Sequence, residues 1–331
     1  MRPALKPGLL PVWRDRNTLQ IGIDPRRAVA LTGMAGMAFV INLLDGSRDR
    51  AQVIQAAVAC GVPERTMERV LALLAVAGAL DDFPAGTLQL LSHPLRARLA
   101  GELATVSLAH RDSDGGARTL ARRLAAQVRI HGNGRVAGTV AGLLKASGIG
   151  RVADVGNAQP GNAQPGTAQP GTAQPGKARR GAAGADKARP DLAVLVGRQP
   201  LEVRDSLMRE QLPHLAASAD EAIGIVGPLV IPGRTACLRC LDVTRADLDP
   251  AWPLILAQLA GREPEPLACD APLAAAVAAQ AAAQALAYID RTVTAVAVTG
   301  ATLELVLPGW QWRRRTWPRR RDCSCGSTTF R

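Results

Sequence analysis

The feature that most constrains this chain is a set of four cysteines arranged in two close pairs. Cys237 and Cys240 are separated by two residues, and Cys323 and Cys325 follow near the C-terminal end. Thiolates at such spacings reach one tetrahedral ion, and two pairs together complete a four-sulfur shell. We therefore predict a structural zinc site that ties the C-terminal segment to the middle of the fold. Four sulfurs leave no open coordination position, so the ion would not take part in chemistry.

Two alternatives to zinc stay open at this level, namely two unrelated reduced pairs or disulfides. The second pair has the spacing C-x-C, which is tighter than in most zinc knuckles. The N-terminal stretch has basic residues but no continuous apolar run, so we predict no signal peptide and expect a cytoplasmic protein. Disulfides are rare in that reducing compartment. The longest apolar run, residues 273–289, is mostly alanine with two glutamines, so we predict a buried helix and no membrane span.

The net charge of +12 raises the question of a nucleic-acid partner. Much of the excess lies in two short stretches, residues 177–189 and 313–321. The first stretch belongs to a low-complexity segment, whereas a duplex-binding module spreads its arginines over one face of a folded domain. Nucleic acid is therefore not the partner that we expect.

The N-terminal part, residues 1–92, is predicted to be a small winged-helix-like domain. Runs at 19–23 and 28–31 predict a hairpin, apolar residues at helical spacing predict three helices, and Leu80 begins a short edge strand. The third helix, near residues 64–77, offers two arginines among apolar and acidic residues, which is a poor composition for reading DNA. A groove beside a short strand can instead take up an extended peptide.

Four arginines are the candidate ligands of such a peptide. Arg26 and Arg27 lie in the hairpin turn, and Arg65 and Arg69 lie on the third helix. Charge-assisted hydrogen bonds from these side chains would favour an acidic peptide. The alternative is that this domain only packs on the rest of the chain or mediates dimerisation.

Residues 93–126 are predicted to be a connecting region with a basic helix, and residues 127–331 an α/β domain that begins as a Rossmann-like unit. A strand runs into a loop with Gly132, Gly134 and Gly138, and a helix and a second strand follow. Glycines in such a loop let the backbone approach a phosphate at the helix N-terminus. These three glycines are therefore the candidate cofactor contacts.

The glycine loop alone does not establish nucleotide binding. A bound nucleotide also needs a carboxylate at the end of the second strand to hold the ribose. Asp154 is expected inside that strand, and Gly156 occupies the position of the carboxylate. ATP is therefore a weaker prediction than zinc.

An internal repeat, NAQPG or TAQPG, fills residues 157–176 inside an insertion that we place at 156–188. Proline at every fifth position excludes a helix, and the repeat has no large apolar side chains with which to build a core. We therefore predict a flexible insertion. Further along the chain, a β-rich run at 222–231 leads to the first cysteine pair.

The two remaining cysteines are predicted to be structural. Cys269 precedes an alanine-rich helix whose dipole would lower the thiol pKa, which makes it a weak candidate nucleophile. No histidine or lysine is close to it in sequence, so a structural role is the preferred interpretation. Cys60 is expected in the core. Alternation of residues over 310–317 predicts a half-buried final strand.

Four segments together resemble one family: GNGRVAG, GIVGPLVIPGRTACLRCLDVTRADLDPAWP, CDAPLAAAVAAQAAAQAL and WQWRRRTWPRRRDCSC. They resemble the ThiF/MoeB-like, ubiquitin-activating-type fold. The likeness extends to its actinobacterial branch of cyclodehydratases and leader-peptide-binding proteins in thiazole/oxazole-modified peptide pathways. It covers nearly the whole chain outside the repeat, and the cysteine segment is its specific part. The N-terminal domain resembles the element that holds leader peptides in such proteins.

The chain departs from adenylating members of this family at three positions. Those enzymes have an aspartate after the second strand, an Asn-x-x-Arg-like stretch, and an Asp-Asn pair beyond the fourth strand for ATP and magnesium. Here the first position is Gly156, the repeat replaces the second, and the third reads Gly197-Arg-Gln-Pro. The resemblance thus implies a degenerate scaffold, a YcaO-type partner for ATP-dependent cyclisation, and a homodimer.

Three functions follow from these observations. The preferred one is a non-catalytic protein that binds a precursor or leader peptide and presents it to a partner enzyme. The alternative is an active ATP-dependent adenylyltransferase that activates a peptide or carrier-protein carboxylate. A DNA-binding regulator is the least favoured.

Overall fold

The computed structural model describes residues 1–82, 91–154, 189–259, 268–292 and 296–326. The chain divides into two compact units, residues 1–124 and 125–331. The predicted insertion at 156–188 lies outside the described residues, and so does Gly156.

The described residues of the first unit, 1–82 and 91–124, contain five short strands in two antiparallel sheets. These are β1 (Pro3–Leu5), β2 (Pro11–Trp13), β3 (Thr18–Ile21), β4 (Val29–Thr32) and β5 (Leu80–Asp82). One sheet pairs β1 with β5, and the other has the order β2-β3-β4. The predicted hairpin corresponds to β3 and β4. Strands β1 and β2 have three residues each, too few for a periodic pattern to indicate them.

Helices follow the three-stranded sheet, but the first predicted helix is a 3-10 helix, Ala38–Leu43. Helix α1 (Arg50–Ala59) begins at a capping box, in which the Asp49 carboxylate accepts from the backbone N–H of Gln52 at 2.9 Å. Helix α2 (Glu64–Val76) buries the face that its apolar spacing predicts. That face consists of Met67, Val70, Leu71 and Leu74.

The predicted connecting region, residues 93–126, consists of three helices that lie almost entirely in the first unit. They are α3 (His93–Arg98), α4 (Ala100–His110) and α5 (Ala117–Ala125). The expectation that Cys60 lies in the core is wrong, because this thiol is exposed at the end of α1. The buried face of α1 carries Val53 and Ala57 instead.

A buried polar cluster joins the β1–β5 sheet to α4. The ammonium group of Lys6, which is 1% exposed, donates to the backbone oxygen and to the hydroxyl of Ser107 at 2.8 Å each. It also donates to the backbone oxygen of Asp112 and lies 3.2 Å from the Asp81 carboxylate. The Ser107 hydroxyl in turn donates to Asp81 at 2.8 Å. All three ammonium protons therefore have acceptors.

The second unit is built on a seven-stranded sheet with the order β12-β11-β10-β9-β8-β6-β7. Its strands are β6 (Gln127–His131), β7 (Arg151–Asp154), β8 (Leu192–Val196), β9 (His214–Asp220), β10 (Ile223–Val230), β11 (Ala301–Val306) and β12 (Trp312–Thr316). Strands β6 to β9 are mutually parallel, and β10, β11 and β12 continue the sheet in antiparallel pairs. The sheet is thus Rossmann-like on one side and a meander on the other.

Helices cover both faces of this sheet. They are α6 (Gly134–Ala146), α7 (Leu201–Arg209), α8 (Leu238–Leu248), α9 (Trp252–Leu259) and α10 (Ala271–Ile289). Helices α6 and α10 pack on one face, where Val140 and Val277 join the core around Val194. On the other face, Leu207 of α7 packs on Leu195.

Helix α10 is long and apolar enough to cross a membrane, and among the described residues no other helix is. Half of its apolar stretch is buried inside the protein, and residues such as Leu273 and Ala281 belong to the main core. We interpret α10 as the predicted core helix.

The predicted alternation over 310–317 is only partly observed. Trp312 packs partly against the α10 face, but the other residues of β12 are exposed. Trp310 precedes the strand and is 47% exposed, whereas Trp317 follows it and is 4% exposed. The strand is mostly exposed because it lies at the edge of the sheet. Trp312 is half-buried there, and the residues after it face solvent.

Candidate metal centre and carboxyl edge of the sheet

The four cysteines of the predicted zinc site meet at one point in the second unit. Cys237 is the N-cap of α8, and Cys240 lies in the first turn of that helix. Cys323 and Cys325 belong to the segment after β12, the latter in a short 3-10 helix. All four are buried, with at most 8% of each residue exposed. The sequence spacing thus identifies residues that the fold brings together.

The distances between the sulfurs fit a tetrahedral ion. Cys237 and Cys240 have their Sγ atoms 3.8 Å apart, Cys237 and Cys323 3.7 Å, and Cys240 and Cys325 3.4 Å. Bonds of about 2.3 Å to a tetrahedral zinc would hold the sulfurs about 3.8 Å apart. All four lie within 4.8 Å of one another, so the cluster could hold one metal ion such as zinc.

Hydrogen bonds and burial shift the pKa values of these thiols in opposite directions. A hydrogen bond from Cys237 lowers the pKa of Cys240 to about 4, and the same bond raises the pKa of Cys237. Burial raises the pKa of Cys325 to about 12. Without a cation, one thiolate thus suppresses ionisation of its neighbours. A divalent ion would remove this repulsion, because metal ligation requires deprotonated sulfur.

The segment that carries the second cysteine pair is anchored to α8 by an arginine. The guanidinium of Arg320 lies 2.7 Å from the carboxylate of Asp247 and 3.1 Å from that of Asp322. Trp317 belongs to the apolar cluster around the cysteines, and its indole N–H donates to Thr302 of β11 at 2.9 Å. These contacts hold the C-terminal segment near α8 independently of the sulfurs.

The carboxyl ends of the parallel strands form a second candidate site, here called the carboxyl edge. Gly132 follows β6 with φ of +117°, and a Cβ there would lie 2.3 Å from the Val196 carbonyl oxygen at the end of β8. Only glycine fits such an approach. The ring of His131, just before it, has a buried Nε2 without a hydrogen-bond partner among the described residues. Burial lowers the pKa of this histidine.

The other two predicted glycines differ from Gly132. Gly134 begins α6 with φ of +80°, a left-handed conformation that glycine adopts without steric cost. Gly138 lies in the second turn of α6, and nothing lies within 4 Å of the position that a Cβ would take. No close approach therefore requires glycine at 138. Gly132 and Gly134 remain as the glycines that shape the loop.

The carboxyl edge contains two carboxylates. Asp154 is the last described residue of β7 and is exposed. Asp220 ends β9 and lies 3.6 Å from the guanidinium of Arg198, which follows β8. Sequence reasoning missed Asp220, because β9 contains no β-branched residue that would indicate a strand.

Cys269 lies beside this edge but has none of the properties of an activated thiol. Burial raises its pKa, and the neighbouring carboxylate of Asp270 raises it further. The expected lowering by the helix dipole is therefore wrong in direction. The side chain packs partly against the main core, which agrees with a structural role.

The four predicted peptide-binding arginines of the first unit fall into two groups. Arg26 pairs with Asp24 at 2.7 Å, and Arg27 donates to the backbone oxygen of Leu108. Arg65 and Arg69 are exposed on α2 and make no hydrogen bond or ion pair with the described residues. The two arginines of α2 are therefore available to a ligand, whereas the two arginines of the turn already have partners within the first unit.

Helix α2 packs near strand β4, the last strand of the three-stranded sheet. Among the described residues, no strand pairs with the outer edge of β4. The exposed face of α2 continues from its two arginines to Leu73 and Val76, which are 45% and 89% exposed. The unpaired edge of β4 thus belongs to a strand that α2 contacts. The exposed face of α2 is basic in its first half and apolar in its second half.

No protein-family model matches the sequence, and no curated protein matches it significantly. Solved structures do match. The heterocyclase TruD is 17% identical, with a TM-score of 0.62 over 98% of this chain and 43% of its own. E. coli MccB with AMPCPP and MccA is 16% identical, with a TM-score of 0.65 over 99% and 100% of the two chains.

MccB with ATP gives a similar result, with 15% identity and a TM-score of 0.63. The chain thus spans the whole length of MccB and less than half of the heterocyclase TruD. At these identities the likeness shows the fold: a mixed α/β structure with a large mixed sheet, like that of MccB.

Proposed function

We propose that this chain is a non-catalytic or degenerate ThiF-like protein that binds a precursor or leader peptide and presents it to a partner enzyme in thiazole/oxazole-type peptide modification. The observation that carries the proposal is the outer edge of β4, with which no described strand pairs, in a unit whose helix α2 also exposes two arginines. The fold it shares with a heterocyclase whose structure was solved in complex with substrate and cofactor supports the same assignment.

The proposed peptide adds to β4 as a fourth strand. Its backbone would pair with the free donors and acceptors of Val29–Thr32, which gives affinity without sequence specificity. Its acidic side chains would pair with Arg65 and Arg69, and its apolar side chains would cover Leu73 and Val76. The first unit would thus act as a winged-helix-like recognition domain.

Titration of the full chain with a labelled acidic leader-like peptide tests this proposal. Arg69→Glu should weaken binding by about tenfold or more, because a charge-assisted hydrogen bond becomes a repulsion. Arg50→Glu is the matched control, since Arg50 is exposed on α1 in the same unit. Amide shifts should appear along Val29–Thr32 and α2. Shifts confined to other segments would show that the groove is wrongly assigned.

The four cysteines would hold one structural zinc ion per chain in this proposal. Cyclisation itself would fall to a YcaO-type partner. The chain matches 43% and 39% of the lengths of the two heterocyclase chains. We further propose a homodimer, which light scattering of the purified protein would detect.

The second candidate is an active ATP-dependent adenylyltransferase, and the carboxyl edge favours it. A bound nucleotide would use the close backbone approach at Gly132. The nucleotide and its magnesium ion would also use the carboxylates of Asp154 and Asp220. ATP–pyrophosphate exchange by the purified protein, with and without candidate peptides, distinguishes the two functions. Exchange that Asp220→Asn abolishes would establish the enzyme over the binding protein.

A further inference from the structure

The outer edge of strand β12 carries a dense group of exposed positive charges. Strand β12 is the last strand of its sheet, and no strand pairs with its outer side in the part of the chain that the structure describes. Residues 313–315 are three consecutive exposed arginines. We define the basic edge as Trp310, Arg313, Arg315, Arg319 and Arg321, all of which are exposed.

The arginines on and after β12 differ in whether they contact the rest of the protein. Arg314 donates to the backbone oxygen of Ala297 at 2.8 Å, and Arg315 stacks at 4.2 Å over the buried ring of Trp317. By contrast, three arginines of the basic edge make no hydrogen bond or ion pair with any described residue. These three are Arg313, Arg319 and Arg321. Of these, Arg313 lies on β12, where Glu304 of β11 is its cross-strand neighbour, and Arg319 and Arg321 follow the strand. Several charges of one sign on a surface create a field that attracts the opposite charge.

The conformation of Trp310 is a second, independent observation. Its φ of +48° is left-handed, which is costly for a bulky residue, and its ring is nevertheless 47% exposed. Val306, which ends β11 on the other side of the same turn, is 52% exposed. Tryptophan and arginine are the residues most enriched where proteins bind one another tightly. The hairpin thus combines an exposed apolar anchor with adjacent positive charge.

We propose that the basic edge is a docking surface for an acidic segment of another protein, which adds to β12 as an extended strand. An unpaired strand edge presents alternating N–H donors and carbonyl acceptors, which match the main chain of a peptide. Phosphate groups accept hydrogen bonds but do not donate, so a nucleic acid would leave the carbonyl groups of β12 unmatched. This surface belongs to the second unit and does not depend on the peptide groove of β4 and α2.

A ten-residue fluorescent peptide of alternating glutamate and valine is the probe. We expect the full-length protein to bind it, with affinity that falls as NaCl rises from 50 to 300 mM, because surface ion pairs are screened. The double variant Arg313→Glu/Arg319→Glu should lose about tenfold or more in affinity. Trp310→Ala should weaken binding as well. Circular dichroism and zinc content should be unchanged in both variants.

Matched controls separate this surface from others. Arg209→Glu changes an exposed arginine of α7 in the same unit, and Arg69→Glu changes the groove of the first unit. Arg209→Glu should not alter binding of the probe, and Arg69→Glu should not alter the part of the binding that the double variant removes. A probe methylated on alternate backbone nitrogens should bind more weakly, because it cannot donate to the strand edge.

Three outcomes would overturn the proposal. The first is loss of probe binding in Arg69→Glu with none in the double variant, which would move the site to the groove. The second is equal binding of the methylated probe, which would exclude strand addition. The third is tighter binding of a ten-nucleotide oligothymidine at the same residues, which would identify the surface as a nucleic-acid site.

Discussion

Each unit of this protein joins distant parts of its chain at one buried polar cluster, but the two clusters balance charge differently. In the first unit, the Lys6 ammonium lies 3.2 Å from the Asp81 carboxylate, and Ser107 hydrogen-bonds to both. In the second unit, four buried thiols face one another within 4.8 Å. The first cluster contains both signs of charge, whereas the second contains only groups that become negative.

This difference determines what each unit needs in order to be stable. The Lys6 cluster is complete, because each donor has an acceptor within the fold. The cysteine cluster can ionise fully only around a cation, so the free energy of metal binding adds to the free energy of folding. If the cluster binds zinc as proposed, the stability of the second unit would depend on the concentration of free zinc, and that of the first unit would not.

Cys237→Ser should have the largest effect, because it removes one of four ligands and leaves three thiols without a complete shell. We expect zinc to fall from about one ion per chain to near zero. The second unit should lose several kcal/mol of unfolding free energy, since structural zinc contributes on the order of 10 kcal/mol to small zinc-dependent folds. Metal analysis and thermal unfolding of the purified protein measure both quantities.

Cys60→Ser is the matched control for this change, because Cys60 is exposed and distant in sequence from the cluster. It should leave zinc content and unfolding unchanged. A chelator should reproduce the effect of Cys237→Ser in the wild-type protein and should not change hydrogen exchange in β1 or α4. Protein purified without chelator that contains no metal would contradict the zinc assignment.

Lys6→Met should destabilise the first unit by about 3–5 kcal/mol, because it leaves the buried carboxylate of Asp81 without its counter-ion. The double variant Lys6→Met/Asp81→Leu should recover much of this loss, since an apolar pair often replaces a buried ion pair at little cost. Urea unfolding measures the difference. A double variant as unstable as the single one would show that Ser107 and the backbone contacts of Lys6 dominate.

Prediction from sequence succeeded for the cysteine cluster and failed for the Lys6 cluster, for a physical reason. A zinc site requires particular ligands at short spacings, so Cys237 and Cys240 indicate it locally. A buried ion pair has no such local pattern, because Lys6 and Asp81 meet only through the pairing of β1 with β5. Strand pairing of three residues leaves no periodicity in the sequence.

The carboxyl edge was predictable only in part. The glycine loop and the helix after it follow from residue types, and Gly132 has the close contact that such a loop implies. Asp220 could not be assigned, because the strand before it reads HLAASAD and alternates in burial without β-branched residues. The chain therefore has more charge at this edge than its sequence motifs indicate.

Gly132→Ala tests a contact in the second unit that depends on neither metal nor charge. The new Cβ would lie 2.3 Å from the Val196 carbonyl oxygen, so the strands must separate, and we expect a loss of about 3 kcal/mol. Gly138→Ala is the control, since its Cβ meets nothing and alanine favours a helix by about 1 kcal/mol. Both changes should leave zinc content the same. Equal thermal stability of the two variants would contradict the close approach at Gly132.

The smallest predicted effect on stability comes from a buried histidine. It compares the buried charge of Lys6 with a buried group that stays neutral. His214 begins β9 at 1% exposure, and burial lowers its pKa to about 4. In the unfolded chain His214 therefore binds a proton near pH 6.5, whereas in the folded chain it binds one only near pH 4. The free energy of unfolding is therefore not reduced by this residue above pH 6.5, and it decreases as the pH falls from 6.5 toward 4.

Between pH 7 and pH 5 this loss amounts to about 2 kcal/mol. His214→Asn keeps a donor for the Leu212 carbonyl, which the histidine ring contacts at 2.9 Å, and does not titrate. Acid also protonates the cysteine cluster, but it does so in both proteins, so the difference between wild type and variant isolates the histidine. Urea unfolding at both pH values should show a smaller decrease for His214→Asn. Parallel pH profiles would mean that His214 is protonated in the folded protein, with its charge compensated as the charge of Lys6 is.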